Sequence, residues 1–142
     1  YDNETREKLA TGVAKLADQD IMTMSSGQAR RVLFARALVH DPSTLLLDEP
    51  CTGLDPEGMY YVRSSMRDLA RAGKGIGLIT HYPEDIIPEI SLLVLIKEGK
   101  LFADGAKEDM LTDKVMSSLF DVPLQVAKNG KNNEYYSLVS SY

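Results

Sequence analysis

The 142-residue chain has a single cysteine, Cys51. That excludes an internal disulfide and fits a reducing compartment. No apolar run approaches the roughly 20 residues needed to span a bilayer; the longest, such as residues 92–96, have strand length. Basic charge is not in excess. The net charge is −5, which argues against a strongly basic nucleic-acid surface while leaving room for a local patch. No repeat, low-complexity tract or signal-peptide pattern stands out, and the first residue is Tyr1 rather than Met. A Tyr start is expected of a chain that was cut, processed or trimmed. What is present is ordinary globular composition, 44% hydrophobic and 26% charged, in a chain long enough for one domain with a core.

The apolar pattern predicts helices interleaved with strands. Leu9, Val13, Leu16 and Ala17 predict a helix over 5–17, followed by a connection over 18–24. "MSSGQARRVLFARALVHDP" reads as a turn feeding a helix over 26–39, ended by Asp41-Pro42. That helix is apolar on most faces and is expected to be packed. Residues 44–47 form a fully apolar strand of the kind buried in parallel sheets. Asp55 as N-cap, Pro56 at the first position and Gly73 past the end bound the next helix. Its stripe of Met59, Val62, Met66 and Leu69 is expected in the core. A second apolar strand over 76–80 completes a β-α-β unit with a right-handed crossover. Residues 83–87 predict a short helical segment that Pro88 interrupts. Strands over 92–96 and 101–103 flank "KEGK", a hairpin signal. Two short helices are expected over 107–111 and 113–120, and Asn129-Gly130 between two alternating stretches predicts a terminal hairpin.

Asp48 and Glu49 sit at the carboxyl end of the first apolar strand, and His81 at the end of the next. Ligands of open α/β sheets bind at that edge. The two carboxylates are either a strand-end pair making turn bonds or a site compensated by an external cation. Paired carboxylates with a nearby His suit a bound cation and polyanion, and Mg²⁺ is the hard ion that accompanies phosphates. "SSGQ" lies at a predicted helix N-terminus, where free N–H groups and the helix dipole receive anions. Ser25 adds a hydroxyl, and Gly27 lets backbone approach a phosphate closely. Cys51 reads as a small packed residue, His40 as a favourable helix end, and Arg30 and Arg31 as solvating their helix.

In this order the motifs resemble the second half of an ATP-binding cassette (ABC) ATPase. "MSSGQARRVLFARAL" matches the family signature and its helix, "TLLLDEP" the Walker B strand with the catalytic glutamate, "TGLD" the D-loop, and "LITHYPEDI" the switch-histidine strand and loop. Residues 95–126 are similar, less specifically, to the tail of ATPase subunits of metal-chelate importers. The resemblance implies an α/β fold: a partial RecA-like P-loop NTPase parallel sheet, part of the ABC helical subdomain, and a C-terminal hairpin. It implies a helical-subdomain piece over 1–40, half of the RecA-like core over 41–105, and C-terminal helices and hairpin over 106–142. Asp48 would hold Mg²⁺, Glu49 would polarise the attacking water, and His81 would contact the γ-phosphate. Ser25, Ser26, Gly27 and Gln28 would engage ATP bound to a second nucleotide-binding domain in a head-to-tail dimer, with Asp55 at that interface as well as capping its helix.

Two departures stand out. Ser26 occupies a position where the family commonly has Gly, a cost if the backbone there needs φ > 0. No GxxxxGK[ST] loop occurs, and the family's Q-loop and adenine-stacking aromatic would also lie upstream; Tyr1 is not given that role. The chain is therefore expected to be the C-terminal half of a cassette, inactive alone, exposing apolar surface and prone to associate. The leading expectation is the ATPase of a membrane transporter, possible cargo a metal chelate, using ATP and Mg²⁺. It would be bound to transmembrane permease subunits at the cytoplasmic face, with no nucleic-acid partner. A soluble ABC ATPase of translation or DNA repair and a non-catalytic ABC-like interaction module are the alternatives.

Overall fold

A computed structural model describes residues 12–131 and 134–139. The helix expected over 5–17 lies mostly outside these residues; of its described part, residues 12–14 are helical. The chain divides into two compact units, residues 1–80 and 81–142.

In the first unit, a 3-10 turn at Ile21–Thr23 precedes helix α1 (Ser26–Ala37). Asp20 caps the 3-10 turn by accepting from the Met22 amide. Strand β1 (Thr44–Asp48), helix α2 (Pro56–Arg71) and strand β2 (Gly75–Ile79) follow. The strands pair in parallel from Thr44↔Gly75 to Asp48↔Ile79. The β-α-β unit is thus present, and α2 packs against both β2 and α1.

The ends of α2 follow from its sequence. Asp55 Oδ1 accepts from the Gly58 amide at 2.8 Å, Pro56 opens the helix, and Gly73 takes φ 86° just beyond it. Val62, Met66 and Leu69 are buried as their spacing requires, but Met59 is 37% exposed. The first turn of α2 meets α1 through Gly58 instead, which shortens the apolar stripe by one residue. Helix α1 also departs from expectation: within it only Phe34 is fully buried, and Leu33 is exposed. Three arginines interleave its apolar positions, so only a narrow face can enter the core.

Only one face of the β1–β2 pair is covered among the described residues. Leu45 is buried, whereas Leu46 is 73% exposed and Ile79 51%. Leu46 and Asp48, two apart on β1, share the uncovered face with Ile79, the register partner of Asp48.

The second unit opens with His81 and a 3-10 turn at Pro83–Asp85. Strands β3 (Leu92–Lys97) and β4 (Lys100–Ala106) form the expected hairpin. Glu98 and Gly99 both have positive φ, 51° and 72°, as a two-residue turn matching strand twist demands. Helices α3 (Lys107–Met110) and α4 (Asp113–Phe120) lead to the terminal hairpin of β5 (Leu124–Asn129) and β6 (Glu134–Val139). Its register pairs Asn129 with Glu134, so residues 130–133 connect the strands and Asn129-Gly130 is not a two-residue turn. Ile86, Leu111, Met116 and Tyr135 form the buried core, flanked by Leu93, Leu119 and Val126.

Candidate functional site

Three stretches of the first unit carry predicted site residues, and local bonds tie them together. The first is the carboxyl end of β1. Asp48 is exposed there, while Glu49 is half-buried with φ 44°, an uncommon backbone state for a side chain of its size. The Glu49 amide donates to Ile79 O at 2.8 Å, extending the ladder one step past the strand. Its Oε2 accepts from Thr52 Oγ1 at 3.1 Å. The chain therefore turns sharply at Glu49 while β2 still holds its amide. Left-handed backbone costs about 1–2 kcal/mol in a non-glycine residue, and such strain gathers at functional positions.

The second stretch is the turn over residues 50–55. Pro50 and Cys51 are buried, which bears out the packed reading of Cys51. Gly53 has φ 74°, a conformation glycine adopts without penalty. Asp55 then caps α2.

The third is the N-terminus of α1, closed by a capping box. Gln28 N–H donates to Ser25 Oγ at 3.2 Å, and Ser25 N–H donates to Gln28 Oε1 at 2.9 Å. Ser25 Oγ keeps its own hydrogen for another acceptor. The Ser26 and Gly27 amides have no protein partner among the described residues, so two donors remain at the positive end of the helix. Ser26 lies in regular helix, with no positive φ, so serine carries no backbone penalty here.

Stretches two and three touch. Ser26 Oγ donates to Gly53 O at 3.3 Å. A Cβ on Gly58 would meet Asp55 Oδ1 at 3.0 Å, Leu54 Cβ at 3.3 Å and Gly27 Cα at 3.6 Å. Glycine at 58 thus allows the close crossing of the two helix N-termini. The structure brings Ser25, Ser26, Gly27, Gln28 and Asp55 together, and leads from them through the 50–55 turn to Glu49 and Asp48. His81 belongs to the second unit, where its ring packs on Tyr82 with centroids 4.2 Å apart.

Sequence reasoning passed over several residues of this region. Arg31 does more than solvate its helix: its guanidinium bonds Glu57 at 2.6 Å and lies 4.7 Å from the centre of the Tyr61 ring, joining α1 to α2. Burial pushes the Tyr61 hydroxyl pKa up, and the Arg31 charge opposes the shift. Gly58 was signalled by a poor helix former in the first turn of a helix. His40 lies beyond the end of α1, three residues after Ala37, and so does not form its last turn.

Among the described residues no three His, Cys, Asp or Glu gather as a metal cluster. Mg²⁺ does not need one, because it is commonly held by one or two carboxylates together with substrate phosphates and water. An exposed Asp48 beside Glu49 fits that donor set.

A parallel strand pair ending in two carboxylates, joined to a capped helix with free N-terminal amides, is chemically suited to receive a cation and a phosphate. Comparison with known proteins names the family. The family model described as ABC transporter matches residues 3–52. The uncharacterized ABC transporter ATP-binding protein YlmA of Bacillus subtilis (strain 168) is 39% identical over 137 residues, covering 89% of this chain and 50% of that protein. Nod factor export ATP-binding protein I of Paraburkholderia xenovorans (strain LB400) is 36% identical over 106 residues, covering 75% of this chain and 35% of that protein. A solved structure described as an inward-facing metal-chelate type ABC transporter superposes with a TM-score of 0.74 at 23% identity, over 97% of this chain and 58% of that one. By sequence the chain is similar to ABC transporter ATP-binding proteins, and its fold matches that of an ABC transporter ATPase. It spans half or less of the length of these two curated relatives.

Proposed function

We infer that this chain is the part of an ABC ATPase that supplies the water-activating carboxylate to its own nucleotide and the signature surface to a second domain's nucleotide. The observation that carries the reading is the joined geometry of the first unit: Glu49 held in a left-handed turn by the β2 ladder, and the α1 N-terminus locked to the D-loop turn through Ser26 and Gly53. Phosphoryl transfer asks a protein mainly for positioning and electrostatic stabilisation, and these groups are suited to both.

Asp48 would hold Mg²⁺, which when bound neutralises charge on the β- and γ-phosphates. Glu49 accepts a hydrogen bond from the attacking water and aims it, its carboxylate steadied by Thr52. By the family resemblance, His81 would contact the γ-phosphate. The Ser25 hydroxyl and the Ser26 and Gly27 amides would donate to the γ-phosphate of ATP held by a second nucleotide-binding domain. Gln28 keeps the Ser25 turn in shape through the capping box, and Asp55 both caps α2 and borders the signature surface.

In the assembled protein, hydrolysis would drive transport through transmembrane permease subunits, with the ATPase peripheral at the cytoplasmic face. No helix among the described residues is long and apolar enough to cross a membrane. Metal-chelate import as the cargo rests on the similarity of residues 95–126 to such importers; stimulation of the reconstituted transporter's ATPase by a metal chelate tests it. The 142-residue chain by itself lacks a GxxxxGK[ST] phosphate cradle and is expected to show negligible Mg-ATP hydrolysis.

Glu49→Gln in the complete ATPase tests the central assignment. The amide keeps the side chain's length and its contact to Thr52 but is a far weaker acceptor for water. Turnover should nearly vanish while an ATP-bound dimer persists. Hydrolysis near the wild-type rate would remove Glu49 from the mechanism.

A further inference from the structure

The residues that follow His81 are unusually well anchored. Pro83, Asp85, Ile86 and Ile87 are all buried, with Ile87 fully so. Strand β6 packs onto the 3-10 turn Pro83–Asp85, and Tyr135 of that strand shares the buried core with Ile86. At the other end of the segment, Lys107 is only 3% exposed, and its Nζ donates to Pro88 O at 2.8 Å. The Lys107 backbone amide donates to Ser91 O at 2.8 Å. Lys107 Nζ lies 6.0 Å from the Tyr135 ring centre and Lys128 Nζ 5.4 Å, so two cations flank one aromatic ring.

Burying a lysine is costly unless its ammonium is bonded. Burial draws the Lys107 pKa below its ordinary value; Glu108 and Glu89 oppose that shift, and Lys128 adds to it. A methionine would fill such a place with less desolvation. What lysine adds is a donor that reaches the main chain after the His81 loop.

We propose that Lys107 and Tyr135 are positioning residues for His81, clamping residues 83–88 from both ends so that the imidazole is presented from a fixed backbone. Strand β6 and helix α3 then set the geometry of the switch histidine, although neither contributes a group to the phosphate. The clamp rests on the ATPase reading above.

The test is a double-mutant cycle in the complete ATPase. Lys107→Met should lower kcat about ten- to a hundredfold, the loss typical of a misplaced catalytic group, while KM for Mg-ATP stays within about twofold because ground-state binding is not touched. His81→Ala should itself lower kcat, and Lys107→Met added to it should cost nothing more, since the clamp acts only through the imidazole. An unchanged kcat in Lys107→Met, or equal losses in both backgrounds, overturns the proposal. If Lys107→Met does not fold, Tyr135→Leu enters the same cycle with the same expectations. Full turnover by His81→Ala alone would instead refute the role of His81, and the clamp would fall with it, so the single variant distinguishes the two failures.

Discussion

Asp55 is assigned two duties, capping α2 and bordering the signature surface, and a pair of substitutions separates them. Its Oδ1 lies 2.8 Å from the Gly58 amide nitrogen, good geometry for a charge-assisted bond at a helix start. Losing an N-cap oxygen costs about 1 kcal/mol, and losing the negative charge at the helix N-terminus costs about 0.5 kcal/mol more. Asp55→Ala removes both; Asp55→Asn keeps an oxygen acceptor and loses only the charge. If the first turn of α2 opens locally, amide exchange at Gly58 and Met59 should accelerate about twelvefold in Asp55→Ala but only about twofold in Asp55→Asn. Hydrogen exchange read by mass spectrometry or NMR measures this at the turn itself. Equal acceleration in the two variants would mean that the side-chain oxygen is not the cap. If Asp55→Asn leaves exchange nearly unchanged yet lowers turnover of the complete ATPase, the charge has a duty apart from capping. Unimpaired turnover in Asp55→Asn would reduce Asp55 to a structural residue.

The isolated 142-residue chain should self-associate, because Leu46 and Ile79 stand on a sheet face that none of the described residues covers, and burying such side chains is worth about 1.5–3 kcal/mol each. Leu46→Lys with Ile79→Lys should raise the monomer fraction in sedimentation velocity, and a wild-type chain that is already monomeric with a cooperative melt would refute the argument. Lys107 makes stability depend on alkaline pH. Its folded pKa lies below the unfolded 10.5, so the unfolded chain binds more protons and stability rises with pH through that window, the contribution being lost as pH falls through the folded value. Tyr61, with its pKa raised above 10.0, acts in the opposite sense. Denaturant melts of wild type against Lys107→Met isolate the lysine: the wild type should gain on the variant as pH approaches 10.5, and parallel curves would refute the assignment.

Elements with strong local signals were legible in the sequence. The Asp55-Pro56 start, the KEGK turn and the apolar run Leu45–Leu47 within β1 each encode a backbone requirement within a few residues. The terminal hairpin was legible as a pairing, but its loop length was not, because the Asn129-Gly130 signal is local while the register is fixed by side chains farther along each strand. Arg31 and Lys107 were missed for a shared reason: a long cationic side chain reads as solvent-facing, and its burial depends on partners from distant parts of the chain, Glu57 and Tyr61 in one case and Pro88 and Tyr135 in the other. The candidate site was legible as motifs. Ser25 and Gln28 were read only for what they offer a phosphate, and their reciprocal capping became visible with the helix start in place.

The φ of 44° at Glu49 also bears on how this position would change under random substitution. Glycine accepts that conformation freely, and asparagine more readily than glutamate does. Drift judged by stability alone should therefore carry the position away from glutamate, even though that change removes the carboxylate. Laboratory evolution for thermostability, run without any demand for turnover, should accumulate Gly or Asn at residue 49 early. The same selection run with turnover required should leave it untouched and find its gains elsewhere.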